Sequence, residues 1–148
     1  MSRLFQGKTT FNQDIGDWDT SSVTKFNQMF HNAYTFNQDI GRWNTSSATR
    51  MDMMFYQSYP KNFNQDIGGW DVSKVTDFSA MFVNNIDFNQ DISGWDTSSA
   101  IGTGQMFSFA TAFNQDISGW DMTAVTYSWR MFYGAIEFKR NQQVCDII

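Results

Sequence analysis

The pentapeptide Phe-Asn-Gln-Asp-Ile opens at Phe11, Phe36, Phe63, Phe88 and Phe113, at spacings of 25, 27, 25 and 25 residues. Five identical pentapeptides in 148 residues mark a tandem repeat, and a period in this range points to an array of stacked units. Later positions keep the phase. Trp18, Trp43, Trp70, Trp95 and Trp120 stand at the eighth place of each unit, followed by Asp19, Asn44, Asp71, Asp96 and Asp121. Met29-Phe30, Met54-Phe55, Met81-Phe82, Met106-Phe107 and Met131-Phe132 close the pattern. The longer spacing comes from two extra residues near Ser58 to Lys61. The single proline, Pro60, lies there and predicts a surface turn.

The whole chain, 1–148, reads as a single solenoid domain. A partial unit spans 1–10, repeats span 11–35, 36–62, 63–87, 88–112 and 113–137, and a divergent cap spans 138–148. Leu4-Phe5 occupies the Met-Phe place, so the chain opens inside a unit, as at a cut edge. One unit cannot bury enough apolar surface to offset the entropy of ordering its own residues. Units must therefore share interfaces.

Within a unit, Val23, Phe26, Met29, Phe30 and Ala33 recur at spacings that predict one face of a short helix. Ser21 or Asp19 would cap its first turn. The Phe-Asn-Gln-Asp-Ile segment is too short for a helix and reads as a short strand or extended arc. The expected fold is an α/β repeat solenoid: a leucine-rich-repeat-like right-handed array with one strand or arc and one short helix per turn. Gly102 and Gly104 predict a frayed fourth helix.

Composition narrows the functions. A net charge of −5 and an isoelectric point near 4.5 speak against nucleic acid as a partner. Aromatics at 18% speak against intrinsic disorder. The lone Cys145 forbids an internal disulfide framework. No apolar run is long enough for a direct membrane span. The start, MSRLFQGKTT, has no apolar core of a secretion signal.

The unit F-N-Q-D-I-x-x-W-D-x-S-x-V-T-x-x-x-x-M-F, seen most fully from Phe63 to Phe82, resembles the BspA-like surface-protein repeat family, which includes mycoplasma surface lipoproteins of unassigned function. The match covers residues 1–137. The resemblance implies a leucine-rich-like solenoid, an extracellular or cell-surface setting, and a role in adhesion or protein interaction. It brings no catalytic residue.

Each recurring position has a structural and a functional reading. Asp14, Asp39, Asp66, Asp91 and Asp116 form one acidic column, and Asp19, Asp71, Asp96 and Asp121 a second, broken by Asn44. Calcium would relieve their repulsion; so would backbone N–H bonds from the next turn or a helix-capping role. The latter is favoured, because Asn44 keeps the hydrogen-bonding shape without charge. Phe11, Phe36, Phe63, Phe88 and Phe113 read as a core ladder. So do the five in-phase tryptophans, although stacked indoles could also form a sugar-binding face. Thr20-Ser21-Ser22, Thr45-Ser46-Ser47 and Thr97-Ser98-Ser99 suit helix capping better than an ice lattice, because Val72 and Met122 break the row.

Catalysis finds little footing. His31 has no counterpart in other units and reads as a solvated surface residue. Identical carboxylates in every turn make a poor acid–base pair, and no phosphate loop or metal-ligand spacing occurs. No cofactor follows. Variable positions mark the solvent face, where Tyr34, Tyr56, Tyr59, Val83, Phe109 and Tyr133 suit an interface. The expected function is a noncatalytic scaffold for protein interaction or surface adhesion. The alternatives are self-association or docking through the solenoid ends, and calcium, glycan or ice binding along a repeated face.

Overall fold

The computed structural model describes residues 1–59 and 63–138. Successive units lie side by side in register. Parallel bridges run Lys25 to Arg50, Arg50 to Asp77, Asp77 to Gly102 and Gly102 to Tyr127, linking the fifteenth position of each unit to the next. From there every second amide reaches the following unit. Phe26, Gln28, Phe30 and Asn32 donate to the carbonyls of Arg50, Asp52, Met54 and Tyr56 at 2.9–3.0 Å.

The helix and strand expected in each unit do not form. Among the described residues the only helical turn is 136–138, and inter-unit pairing consists of isolated bridges without an extended strand. The fold is therefore not an α/β solenoid. The intervening amides close β-turns. In the first complete unit Trp18, Val23, Met29 and Ala33 donate to the carbonyls of Ile15, Thr20, Phe26 and Phe30, and Phe36, which opens the second, donates to that of Ala33. A β-turn brings residues i and i+3 together, so an apolar pair at that spacing faces inward just as it would on a helix. Phe26, Met29, Phe30 and Ala33 are all buried.

Left-handed backbone makes a helix impossible here. Gln28, Met53, Ala80, Gln105 and Arg130, at the eighteenth position of their units, have φ of 55–58°, and Asn32, Asn84, Phe109 and Gly134 repeat this four residues on. Such a residue at i+2 is what a type II turn requires. Ser21 and Asp19 consequently cap no helix; they bond to each other. Gly102 and Gly104 fray nothing either. They make room: a side chain at Gly102 would meet the Asp77 carboxylate, and one at Gly104 would strike the Tyr127 ring.

A substitution separates the two backbones. The half-exposed Met53 has φ 55°. A non-glycine residue in this region costs about 1–2 kcal/mol, and glycine's extra unfolded-state entropy costs about 0.5–1 kcal/mol. Met53→Gly is therefore expected to stabilise by about 0.5–1 kcal/mol in urea titration. In a helix interior the same change would destabilise by a similar amount; a lower urea midpoint would refute the turn.

The core is a zipper of aromatic rings. Phe5, Phe30, Phe55, Phe82, Phe107 and Phe132 stack unit on unit at 5.6–5.7 Å. Each also lies against the phenylalanine that opens the next unit: Phe30 on Phe36 at 3.8 Å, Phe82 on Phe88 at 4.0 Å, Phe132 on Phe138 at 4.1 Å. The indole N–H groups of Trp43, Trp70, Trp95 and Trp120 donate to the carbonyls of Ile15, Ile40, Ile67 and Ile92 in the preceding unit, at 3.0–3.2 Å.

Candidate functional site

Most of the recurring polar residues are engaged by hydrogen bonds, the aspartates at the surface and the threonines in the interior. Each first-column aspartate folds back on its own chain: Asp14, Asp39 and Asp66 accept the amides of Gly16, Gly41 and Gly68, and Asp91 and Asp116 those of Ser93 and Ser118. In the second column Asp19, Asn44, Asp71, Asp96 and Asp121 likewise accept the amide two residues on. These are Asx turns within one unit. They are neither bonds from the next turn nor helix caps. Asn44 serves because the turn needs an acceptor oxygen and no charge. Hydroxyl and then amide bonds from Ser21, Ser73 and Ser98 hold the Asp19, Asp71 and Asp96 carboxyls below their usual range, as Thr123 does for Asp121. Among the described residues, no three His, Cys, Asp or Glu side chains come together as a metal site.

The asparagines take the place of a backbone ladder. The side-chain oxygens of Asn12, Asn37, Asn64 and Asn89 accept the amides of Asn37, Asn64, Asn89 and Asn114, one unit further along. Thr20, Thr45 and Thr97 are buried and donate to the carbonyls of Asn44, Asp71 and Asp121. Their hydroxyls form no exposed lattice. Trp43, Trp70, Trp95 and Trp120 are buried, and Trp18 is partly open at the first complete unit.

The variable positions divide. Tyr34 and Tyr59 meet edge to face at 6.1 Å, with Tyr59 exposed. Tyr56 is half-buried, and His31, far from being freely solvated, lies edge-on against it at 4.9 Å. Burial, and then the charge of Arg3, lower the His31 pKa. Val83 is buried and unavailable to a partner. Phe109 and Tyr133 are exposed and meet edge to face at 5.2 Å.

The largest concentration of open apolar side chains lies on the fourth and fifth units: Ile101, Phe109, Tyr127, Trp129, Tyr133 and Ile136, each 44–52% exposed. The Arg130 guanidinium sits 4.2 Å from the Trp129 ring and 4.9 Å from that of Tyr133, tying them together. Beside them runs a groove of about 330 Å³ walled by Arg50, Asp77, Ile101 and Tyr127. Arg50 spans Asp52 at 2.8 Å and Asp77 at 3.0 Å across two units, and the Asp52 hydrogen bond is the main cause of its raised pKa. Ile101, Tyr127, Trp129 and Ile136 escaped the sequence-based strip. A signal existed: Trp129 is the sixth tryptophan, out of phase with the other five.

Stacked turns, a continuous aromatic interior and an irregular outer strip define a tandem-repeat protein. The chain belongs to the family described as Mycoplasma protein of unknown function, DUF285, whose model matches twice, over residues 1–60 and 58–147. No curated protein and no solved structure matches the chain. Among the described residues no helix is long and apolar enough to cross a membrane. Cys145 and the cap beyond Phe138 lie outside the described residues, as do Pro60 and Lys61 of the insertion.

Proposed function

We propose that the chain is a noncatalytic scaffold that presents the strip of its fourth and fifth units to a protein partner. One observation carries this reading. The recurring phenylalanines and aspartates, Asn12, Asn37, Asn64 and Asn89, and four of the five in-phase tryptophans are held by ring contacts or hydrogen bonds within and between units, whereas the side chains left open, Phe109, Tyr127, Trp129 and Tyr133, are of the types that anchor interfaces. Tyr and Trp bury large area with few rotatable bonds, and Arg130 above two rings adds a cation that such interfaces favour. The closer kinship to BspA-like surface repeats, and the adhesive role it carries, belong to this proposal.

Phe109→Ser, Tyr127→Ser and Trp129→Ser, made together, are expected to weaken partner binding at least about tenfold while the near-ultraviolet circular dichroism of the buried rings persists, since hot-spot losses exceed about 2 kcal/mol. The comparison is quantitative retention of the same proteins by immobilised wild-type and variant chains. An unchanged set, retained equally well by a folded variant, would defeat the strip.

A further inference from the structure

We propose that the groove beside the strip binds a neutral saccharide, its pyranose ring against Tyr127 and its hydroxyls on Arg50, Asp77 and Ser79. The site lies on the side of the stack, between the third and fifth units. It goes beyond a protein interface, although it shares Tyr127 with the strip.

The groove exists because one unit lacks a side chain. The fifteenth positions, Lys25, Arg50, Asp77, Gly102 and Tyr127, are joined unit to unit by parallel bridges. Neighbours in such a row stand about 4.8 Å apart. Gly102 therefore leaves a gap of about 10 Å between the backbones of Asp77 and Tyr127. The backbone does not call for glycine here. The left-handed glycines are Gly7 and Gly134, and neither Gly102 nor Gly104 is among them. What these two keep is space. A β-carbon at Gly102 would stand 2.9 Å from Ser79 Oγ and 3.0 Å from Asp77 Oδ1, and Gly104 lets the Tyr127 ring rest on it. Beside the gap the fourth unit departs again, with Ile101 where the other complete units carry Thr24, Thr49, Thr76 and Thr126. The resulting groove of about 330 Å³ has a buried floor. It falls within the range of small-molecule sites, about 300–1,000 Å³.

The walls select the ligand. On one side the Arg50 guanidinium donates to Asp52 through Nε at 2.8 Å and to Asp77 through Nη2 at 3.0 Å, leaving Nη1 unused by either. Each Asp77 oxygen accepts one donor, from Arg50 or the Ser79 amide, and keeps a lone pair. The Ser79 hydroxyl bonds to no described group. Donor, acceptor and hydroxyl thus stand side by side. A cation entering the groove meets Arg50, and an anion meets two carboxylates. A wholly apolar ligand would strip water from these groups and return no hydrogen bond. A hydroxyl both donates and accepts, so neighbouring hydroxyls on one ring answer this wall. The opposite wall is the Tyr127 ring, 48% exposed, with Ile101 beside it. Its electron-rich face attracts the polarised C–H bonds along one side of a pyranose. A sugar, polar at its edge and apolar on its face, matches both walls at once.

The test is a printed array of neutral, sialylated and sulfated oligosaccharides, followed by calorimetry with the best-bound neutral one. Neutral glycans are expected to be retained, with a dissociation constant of about 0.1–1 mM for the free oligosaccharide. Gly102→Leu fills the gap and should weaken binding at least about tenfold, as should Tyr127→Leu. Tyr127→Phe keeps the ring and should stay within about twofold of wild type. Near-ultraviolet circular dichroism reports folding; should Gly102→Leu fail to fold, the two Tyr127 variants decide. Binding confined to sialylated or sulfated glycans overturns the proposal, and so does equal binding by Tyr127→Leu and Tyr127→Phe. A flat array, beside undiminished retention of a protein partner by the wild-type chain, removes the saccharide site and leaves the strip.

Discussion

Trp70→Ala is expected to lower the unfolding free energy by about 3–5 kcal/mol, while Trp18→Ala, at the same place in its unit, should cost less than about 2 kcal/mol. The two indoles stand at the same place in closely similar stretches of sequence; their neighbours in space differ. Trp70 is 3% exposed, lies parallel to Trp43 at 6.4 Å, and donates to the Ile40 carbonyl at 3.1 Å. Its removal leaves a cavity that the rigid rings of Trp43 and Phe55 cannot fill, and takes from the Ile40 carbonyl one of its two donors, the Trp43 amide remaining. Trp18 is 38% exposed, and its ring contact is a tilted one with Phe5 at 5.8 Å. Water takes up the space that alanine vacates. Urea titration followed by circular dichroism measures both, since tryptophan emission would change with the substitution itself. Equal losses at the two positions would mean that burial within the stack does not govern the tryptophan column.

The second large effect concerns phase. Excision of residues 88–112, one whole unit, should leave a shorter chain that still folds cooperatively. Excision of 88–100, about half a unit, should abolish folding. After the full excision the amides of Phe78, Ala80, Phe82 and Asn84, which now donate to Gly102, Gly104, Met106 and Ser108, meet the carbonyls of Tyr127, Trp129, Met131 and Tyr133 at the same spacing. Phe82 comes over Phe132 as it now lies over Phe107. Half a unit removed sets inward positions against outward ones, and neither ring column nor amide row can close. Near-ultraviolet circular dichroism and the width of the urea transition distinguish the outcomes. A folded half-unit deletion would show that register between units is not what holds the molecule. Repeat arrays permit such tests because each unit touches only its neighbours.

Much of this was legible in the residues. The period set which side chains meet: Phe36 stacks on Phe11 and Trp95 on Trp120 because each pair stands 25 residues apart. The extra residues before Phe63 disturb little, since Phe63 returns to the column 6.2 Å from Phe36. The backbone between those landmarks was misread for a definite reason. Phe26, Met29, Phe30 and Ala33 carry the spacing of a helix face, and consecutive β-turns satisfy that spacing equally well. Asn32 and Asn84 tolerate a left-handed conformation, yet Gln28, Met53 and Arg130 adopt it without any residue-level preference. There the hydrogen bond to the next unit decides. Gln28 must turn left-handed for its amide to reach Asp52 while Met29 closes back on Phe26.

The outer strip divides the same way. Its variability was visible along the chain, but Val83 and Phe109 have similar hydrophobicity, and only their surroundings bury the first and expose the second. By itself the sequence determined the period, the phase of each ring column and the dependence of every unit on its neighbours, since all follow from identity at fixed spacing. The tertiary structure alone decided that the turns are β-turns rather than helices, that the aspartates bond within their own units, and which aromatics face water. Those outcomes depend on which amide meets which carbonyl across units, and such partners exist only once the units are stacked.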